Sequence, residues 1–153
     1  TPATPRTWAA SSRDRLMSAR TKARKRALDV LFSCELRDET PLEALERVLA
    51  EGERPTTEYT VTLVRGVAEH QSQIDELLSS YSEGWTLSRM PAVDRNVLRL
   101  GVFELLHVDD VPDGVAVSEA MALVRELSTD ESPQFVNGVL GTIQRNKTSI
   151  LGG

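Results

Sequence analysis

SPQFVNGVL, Ser132 to Leu140, and PAVDRNVLRLGVFELL, Pro91 to Leu106, decide the fold class. In the first stretch Ser132 is placed to cap a helix, and Pro133 suits its opening turn, where a missing N–H leaves no hydrogen bond unmade. Phe135, Val136, Val139, Leu140 and Ile143 then recur at helical spacing, so this end of the chain packs inward. Gly138 and Gly141 each disfavour a helix by about 1 kcal/mol relative to Ala. Their presence predicts that another element approaches this backbone closely. The second stretch reads as a helix from Pro91 to His107.

Working outward, Ala27, Leu28, Leu31, Phe32 and Cys34 to Leu36 give a helix over about 19–36, broken by Asp38 to Pro41. Pro41 opens a helix lined by Leu42, Leu45, Val48 and Leu49, and Gly52 ends it. A long helix from Glu58 to about Ser80 carries Leu63, Val64, Val67, Ile74 and Leu78 on one side, with Gly66 marking a tight helix crossing. Trp85 and Leu87 are expected to pin the following turn onto the core. After the turn Val108 to Gly114, residues 115–128 form an amphipathic helix through Val117, Met121, Val124 and Leu127. No alternating strand pattern of useful length occurs, so the fold class is all-α, a compact bundle.

The 153 residues suffice for one domain with a real core, and 40% hydrophobic with only 5% aromatic content suits a Leu/Val/Ala-filled helical protein. The single cysteine, Cys34, excludes a disulfide framework and fits a reducing cytoplasm; on the inner helix face it reads as buried and inert. No run of about 18 apolar residues is present to span a membrane. The net charge of −5 divides unevenly: residues 1–26 hold eight Arg or Lys against one acid, so the rest of the chain carries −12. A cationic end on an acidic body argues for a polyanionic partner. Cations at a helix start oppose its dipole by a few tenths of a kcal/mol each, roughly, which strengthens the case for a ligand there.

Thr1 to Leu16, rich in Thr, Ser, Ala and Pro, has no apolar period and no secretion-signal core. Residues 1–17 are expected to be a disordered extension, with Met17 the expected translation start, 18–147 the folded domain, and 148–153 a flexible tail. His107 with Asp109 and Asp110 offers imidazole and carboxylates, but at a helix end a His that caps carbonyls is the favoured reading. His70 reads as solvated. No Gly-rich phosphate loop, H-E-x-x-H or supported Ser/His/Asp set occurs, so no enzyme, cofactor or metal is expected.

FVNGVL, the P-x-V-D-R-x-V-L-R-L pattern at Pro91 to Leu100 and the basic helix RTKARKRALDVLFSCEL (Arg20 to Leu36) together resemble the NusB family of transcription antitermination factors, from about Ser18 to Ile143. A similar helical domain is fused to some ribosomal RNA cytosine methyltransferases, and the arginine-rich first helix points to the free-standing factor. The resemblance implies six or seven helices in two subdomains. It implies binding of boxA-type single-stranded RNA in ribosomal RNA leaders, together with the ribosomal protein NusE, within an RNA polymerase antitermination complex.

By that resemblance RNA contact is expected at Arg20, Lys22, Arg24, Lys25 and Phe32, and at Phe135 and Asn137. The basic side chains fan around the helix and suit a bent phosphate backbone, and the Asn137 amide can read a base edge. Phe32 is open to two readings, a base-stacking platform or a core residue. Asp94, Arg95, Arg99 and Glu131 are expected at the partner surface, the alternative for the first three being surface ion pairs. Thr21, where relatives often carry Arg, predicts lower RNA affinity than in strongly basic members. The other reading of the chain is a protein–protein interaction module or homodimer without specific RNA binding.

Overall fold

A computed structural model describes residues 12–52 and 56–152, with side chains from Ala19 onward. Its helices are α1 (Ser12–Leu36), α2 (Pro41–Glu51), α3 (Glu58–Tyr81), α4 (Ala92–His107), α5 (Asp113–Leu127), α6 (Ser132–Arg145) and α7 (Lys147–Gly152), with one 3-10 turn at Leu87–Arg89. Among the described residues there is no strand. α1, α2 and α3 pack together as one bundle, and α4, α5 and α6 as a second. α1 and α3 join the two by packing on α4.

Local chemistry explains the boundaries. Thr40 opens α2 with a reciprocal capping box: its hydroxyl accepts from the Glu43 N–H at 3.1 Å, and the Glu43 carboxylate accepts from the Thr40 N–H at 2.9 Å. Gly52 closes α2 in the left-handed region at φ 62, where a Cβ would be strained. α1 begins at Ser12, earlier than the expected 19; residues 1–11 of the expected extension lie outside the described ones. Lys147–Gly152 form α7, which takes in most of the expected tail; Lys147, the last residue of the expected domain, bonds Asp113 at 2.8 Å, and Ile150 packs against the core.

Gly66 sits where helices cross. A Cβ there would meet the Phe103 ring at 2.0 Å, so the α3–α4 contact needs the bare backbone. Gly138 and Gly141 do not behave as expected: a Cβ on Gly138 meets nothing within 4 Å, and one on Gly141 meets only an Arg145 side chain at 3.4 Å. Ser132 is a second correction. Its hydroxyl does not cap α6 but bonds Ser128 and Thr129 hydroxyls at 3.0 and 2.8 Å, tying the α5–α6 turn together. Trp85 is a third: it stays 51% exposed and lies against Phe135, while Leu87 does pack on the core.

α4 is the central helix. Eleven of its residues are buried, among them Asp94, Asn96 and Glu104. A helix buried nearly all round must satisfy its polar groups from neighbours. Those neighbours organise the candidate site.

Candidate nucleic-acid interface

The basic segment of α1 runs beside α5 and the loop before it, and side-chain pairs bridge the two in chain order. Arg20 bonds Asp110 through both guanidinium nitrogens at 3.1 and 3.3 Å, and its cation lies 4.2 Å from the centroid of the Tyr59 ring. Thr21 donates to Glu119 at 2.6 Å. Lys25 pairs with Glu126. The Arg20 guanidinium holds the Asp110 carboxyl below the usual range, and the Glu126 carboxylate raises the Lys25 ammonium. Lys22 stands exposed, with no ion-pair partner among the described residues. Because α1 begins at Ser12, these cations lie beyond its first turn, where the dipole no longer opposes them.

Arg24 departs from the expectation. It is 3% exposed, and its Nε bonds both Glu104 oxygens at 2.9 and 3.0 Å while Nη1 bonds Glu119 at 3.0 Å. Tyr59 completes the cluster by donating to Glu104. Burial, with the Glu104 carboxylate beside it, pushes the Tyr59 phenol well above its ordinary value. Arg24 therefore holds α1 to Glu104 of α4 and Glu119 of α5 from within.

Arg95 and Arg99 are likewise occupied, at 15% and 13% side-chain exposure. Arg95 pairs with Glu35 and donates to the Leu87 and Met90 carbonyls at 2.8 Å. Arg99 bonds both Asp75 oxygens at 2.9 and 3.0 Å and Glu35 at 3.2 Å. Burial works to raise the Glu35 carboxyl, but hydrogen bonds from Arg95 and Asn96 and the nearby Arg99 charge outweigh it and hold it below the usual range. These pairs tie α4 to α1 and α3, as the ion-pair alternative anticipated, and they also line an open cavity of about 520 Å³.

A groove of about 460 Å³ opens between the α3–α4 turn and the start of α6, and it unites three of the expected residues: Asp94, Glu131 and Phe135. Asp94 is 3% exposed and accepts from Ser128, so it shapes the groove floor. Glu131 is exposed at the rim, and Phe135 faces Trp85 with ring centroids 5.8 Å apart. Asn137 is exposed on the same helix. Glu126 lies on the last turn of α5, directly before the Ser128–Glu131 segment that lines the groove. The carboxylate that pairs with Lys25 thus stands three residues before Thr129, the first groove-lining residue after α5.

A sequence model of the NusB family matches residues 21–145. This chain belongs to the NusB family. It is 75% identical over 134 residues to the transcription antitermination protein NusB of Nocardioides sp., covering 88% of this chain and 99% of that one. The NusB of Arthrobacter sp. is 56% identical over 135 residues, at 88% and 99% coverage. T. maritima NusB superposes with a TM-score of 0.75 at 35% identity, covering 88% of this chain and 97% of that one. A chain in the crystal structure of antitermination factors NusB and NusE in complex with dsRNA gives a TM-score of 0.72 at 32% identity, covering 82% and 96%.

Against this NusB fold, the expected surface divides cleanly. Lys22, Lys25, Glu131 and Asn137 are exposed, Arg20, Phe135, Arg95 and Arg99 are half-buried, and Arg24 is buried. Phe32 is half-buried outside the main core cluster, two turns from Lys25 on α1. Trp85 was missed as a groove residue, although a Trp in a polar turn was the available signal. His70 is not simply solvated: its ring stacks on His107 at 3.8 Å, and burial and then the His70 charge lower the His107 value. His107 also bonds Gln73 at 2.9 Å, and no metal-holding cluster of His, Cys, Asp or Glu occurs among the described residues. Cys34 is buried, its thiol donating to the Leu31 carbonyl. No described helix is long and apolar enough to cross a membrane.

Proposed function

We propose that this chain is a non-catalytic, cytoplasmic transcription antitermination factor that holds boxA-type single-stranded RNA of ribosomal RNA leaders jointly with NusE, for delivery to RNA polymerase. The observation that carries the reading is a cationic edge on α1, paired to the last turn of α5, beside a chain segment that leads directly into a groove walled by Phe135 and Trp85. A phosphate backbone needs accessible cations, which the exposed Lys22 and Lys25 supply, with the half-buried Arg20 beside them. Unpaired bases need flat apolar faces and amides, which Phe135, Phe32 and Asn137 supply. Asp94 in the groove floor and Glu131 at its rim set acidic groups beside those base contacts, suited to a protein partner that meets the RNA there. Joining RNA and protein contacts on one small surface multiplies affinity through effective concentration.

The test is a titration of fluorescent boxA RNA at two salt concentrations, with and without NusE, beside a scrambled RNA. Preferential binding that NusE tightens is expected. Replacing Arg20, Lys22 and Lys25 together by Ala should lower the log–log salt slope by about 2, at roughly 0.7 per single-strand phosphate contact. Equal binding of both RNAs, with no gain from NusE, would refute the reading.

A further inference from the structure

The cations on α1 are not idle in the free protein. Arg20, Arg24 and Lys25 each meet a carboxylate from the α5 side, Asp110, Glu119 and Glu126 in the same chain order. The inner rung is sealed, with Arg24 and Glu119 at 4% and 22% side-chain exposure and Glu104 beneath them. The outer rungs are more open: Asp110 is 67% exposed over a half-buried Arg20 at 20%, and Lys25 and Glu126 are 49% and 54% exposed.

We propose that Asp110 and Glu126 form an acidic counter-strip that occupies the Arg20 and Lys25 cations in the absence of RNA and must be displaced by incoming phosphates, so that it sets the threshold affinity of this edge for polyanions. This rests on the RNA-binding reading of the same edge. Three features support it. First, each outer carboxylate sits within contact distance of its cation, where a phosphate oxygen would have to go. Second, exposed pairs are weak enough to exchange readily. Third, Lys22 stands exposed beside them, with no ion-pair partner among the described residues, as a first point of contact. Once displaced, each carboxylate also stays close enough to repel the phosphate that replaced it. Weak, strongly salt-dependent binding of stray RNA follows, whereas a ligand that also fills the groove recovers the difference through base contacts.

The experiment compares wild type, D110N/E126Q, and the control E46Q/E76Q, which removes the same charge from exposed positions on α2 and α3. Each is titrated with fluorescent boxA RNA and with scrambled RNA, and its elution salt from a heparin column is measured. The expected result is that D110N/E126Q binds both RNAs about five- to twenty-fold more tightly, the product of a few-fold per exposed carboxylate. It should elute from heparin at higher salt, while the control changes by less than about twofold. Wild-type behaviour of D110N/E126Q on both probes, or an equal gain in the control, overturns the proposal. If no variant binds RNA but the heparin shift is confined to D110N/E126Q, the counter-strip stands and the RNA reading falls.

Discussion

Arg24→Met separates a structural cation from a binding one. Met keeps the apolar volume of the stem and removes the charge. Glu104, 2% exposed, then loses both hydrogen bonds from Arg24 and keeps only the Tyr59 hydroxyl. Removing one partner of a buried pair typically costs about 3–5 kcal/mol, because the remaining charge stays desolvated. At about 2–4 °C per kcal/mol for a domain of this size, Tm should fall by about 6–20 °C. Adding Glu104→Gln removes the orphaned charge, so the double variant should recover at least about half of that loss.

The assay is urea and thermal unfolding followed by circular dichroism on wild type, both single variants and the double. RNA titration is done at a temperature where all four are folded. The reasoning requires lost stability with RNA affinity within about twofold of wild type. If Arg24→Met kept its Tm within about 2 °C while RNA affinity fell tenfold, Arg24 would face the ligand and the buried cluster would be wrong.

Other perturbations probe the remaining features. Gly66→Ala drives a methyl into the buried Phe103 ring and should cost about 1–3 kcal/mol in urea unfolding, whereas Gly138→Ala, in open space, should gain up to about 1 kcal/mol from helix propensity. Glu35→Gln leaves Arg95 and Arg99 without their shared carboxylate and should cost about 1–2 kcal/mol at neutral pH. Because the Glu35 value is depressed, its stabilisation is present above the ordinary 4.5 and lost as pH falls through the folded value, so this variant should show a flatter acid limb in a Tm-versus-pH scan. The depressed His107 value acts in the same direction at higher pH. The neutral ring is favoured in the fold, although Glu69 opposes the shift, so stability should fall as pH drops below 6.5, and His107→Gln should flatten that window.

The helices were legible because apolar periodicity survives folding unchanged: Leu63, Val64, Val67, Ile74 and Leu78 are all fully buried, as their spacing on α3 predicted. The glycines were legible only in part, since propensity shows that a glycine is unfavourable but not whether space or contact explains it. Gly66 is in contact and Gly138 is not. The ion pairs were the hardest to foresee, because Arg24 meets Glu104 and Arg95 meets Glu35 across long stretches of chain that only the tertiary packing brings together.

Even so, the periodicity held more than was taken from it. Arg24 precedes Ala27, Leu28 and Leu31 by three, four and seven residues, so the stripe that buries them also buries it. Asp94 stands in the same relation to Val97, Leu98 and Gly101, and it is buried for the same reason. A charge on an apolar stripe is therefore to be read as paired, and a charge off the stripe as available. Lys22 and Lys25 fall off the α1 stripe. So does Phe32, seven residues beyond Lys25 and hence about 10.5 Å further along the same face. Exposed cations and a half-buried aromatic ring along one side of a helix are what a single-stranded nucleic acid requires of a protein surface. On the proposed RNA-binding reading, Lys22, Lys25 and Phe32 are therefore the α1 positions to test first, with Arg20 depending on its pairing to Asp110.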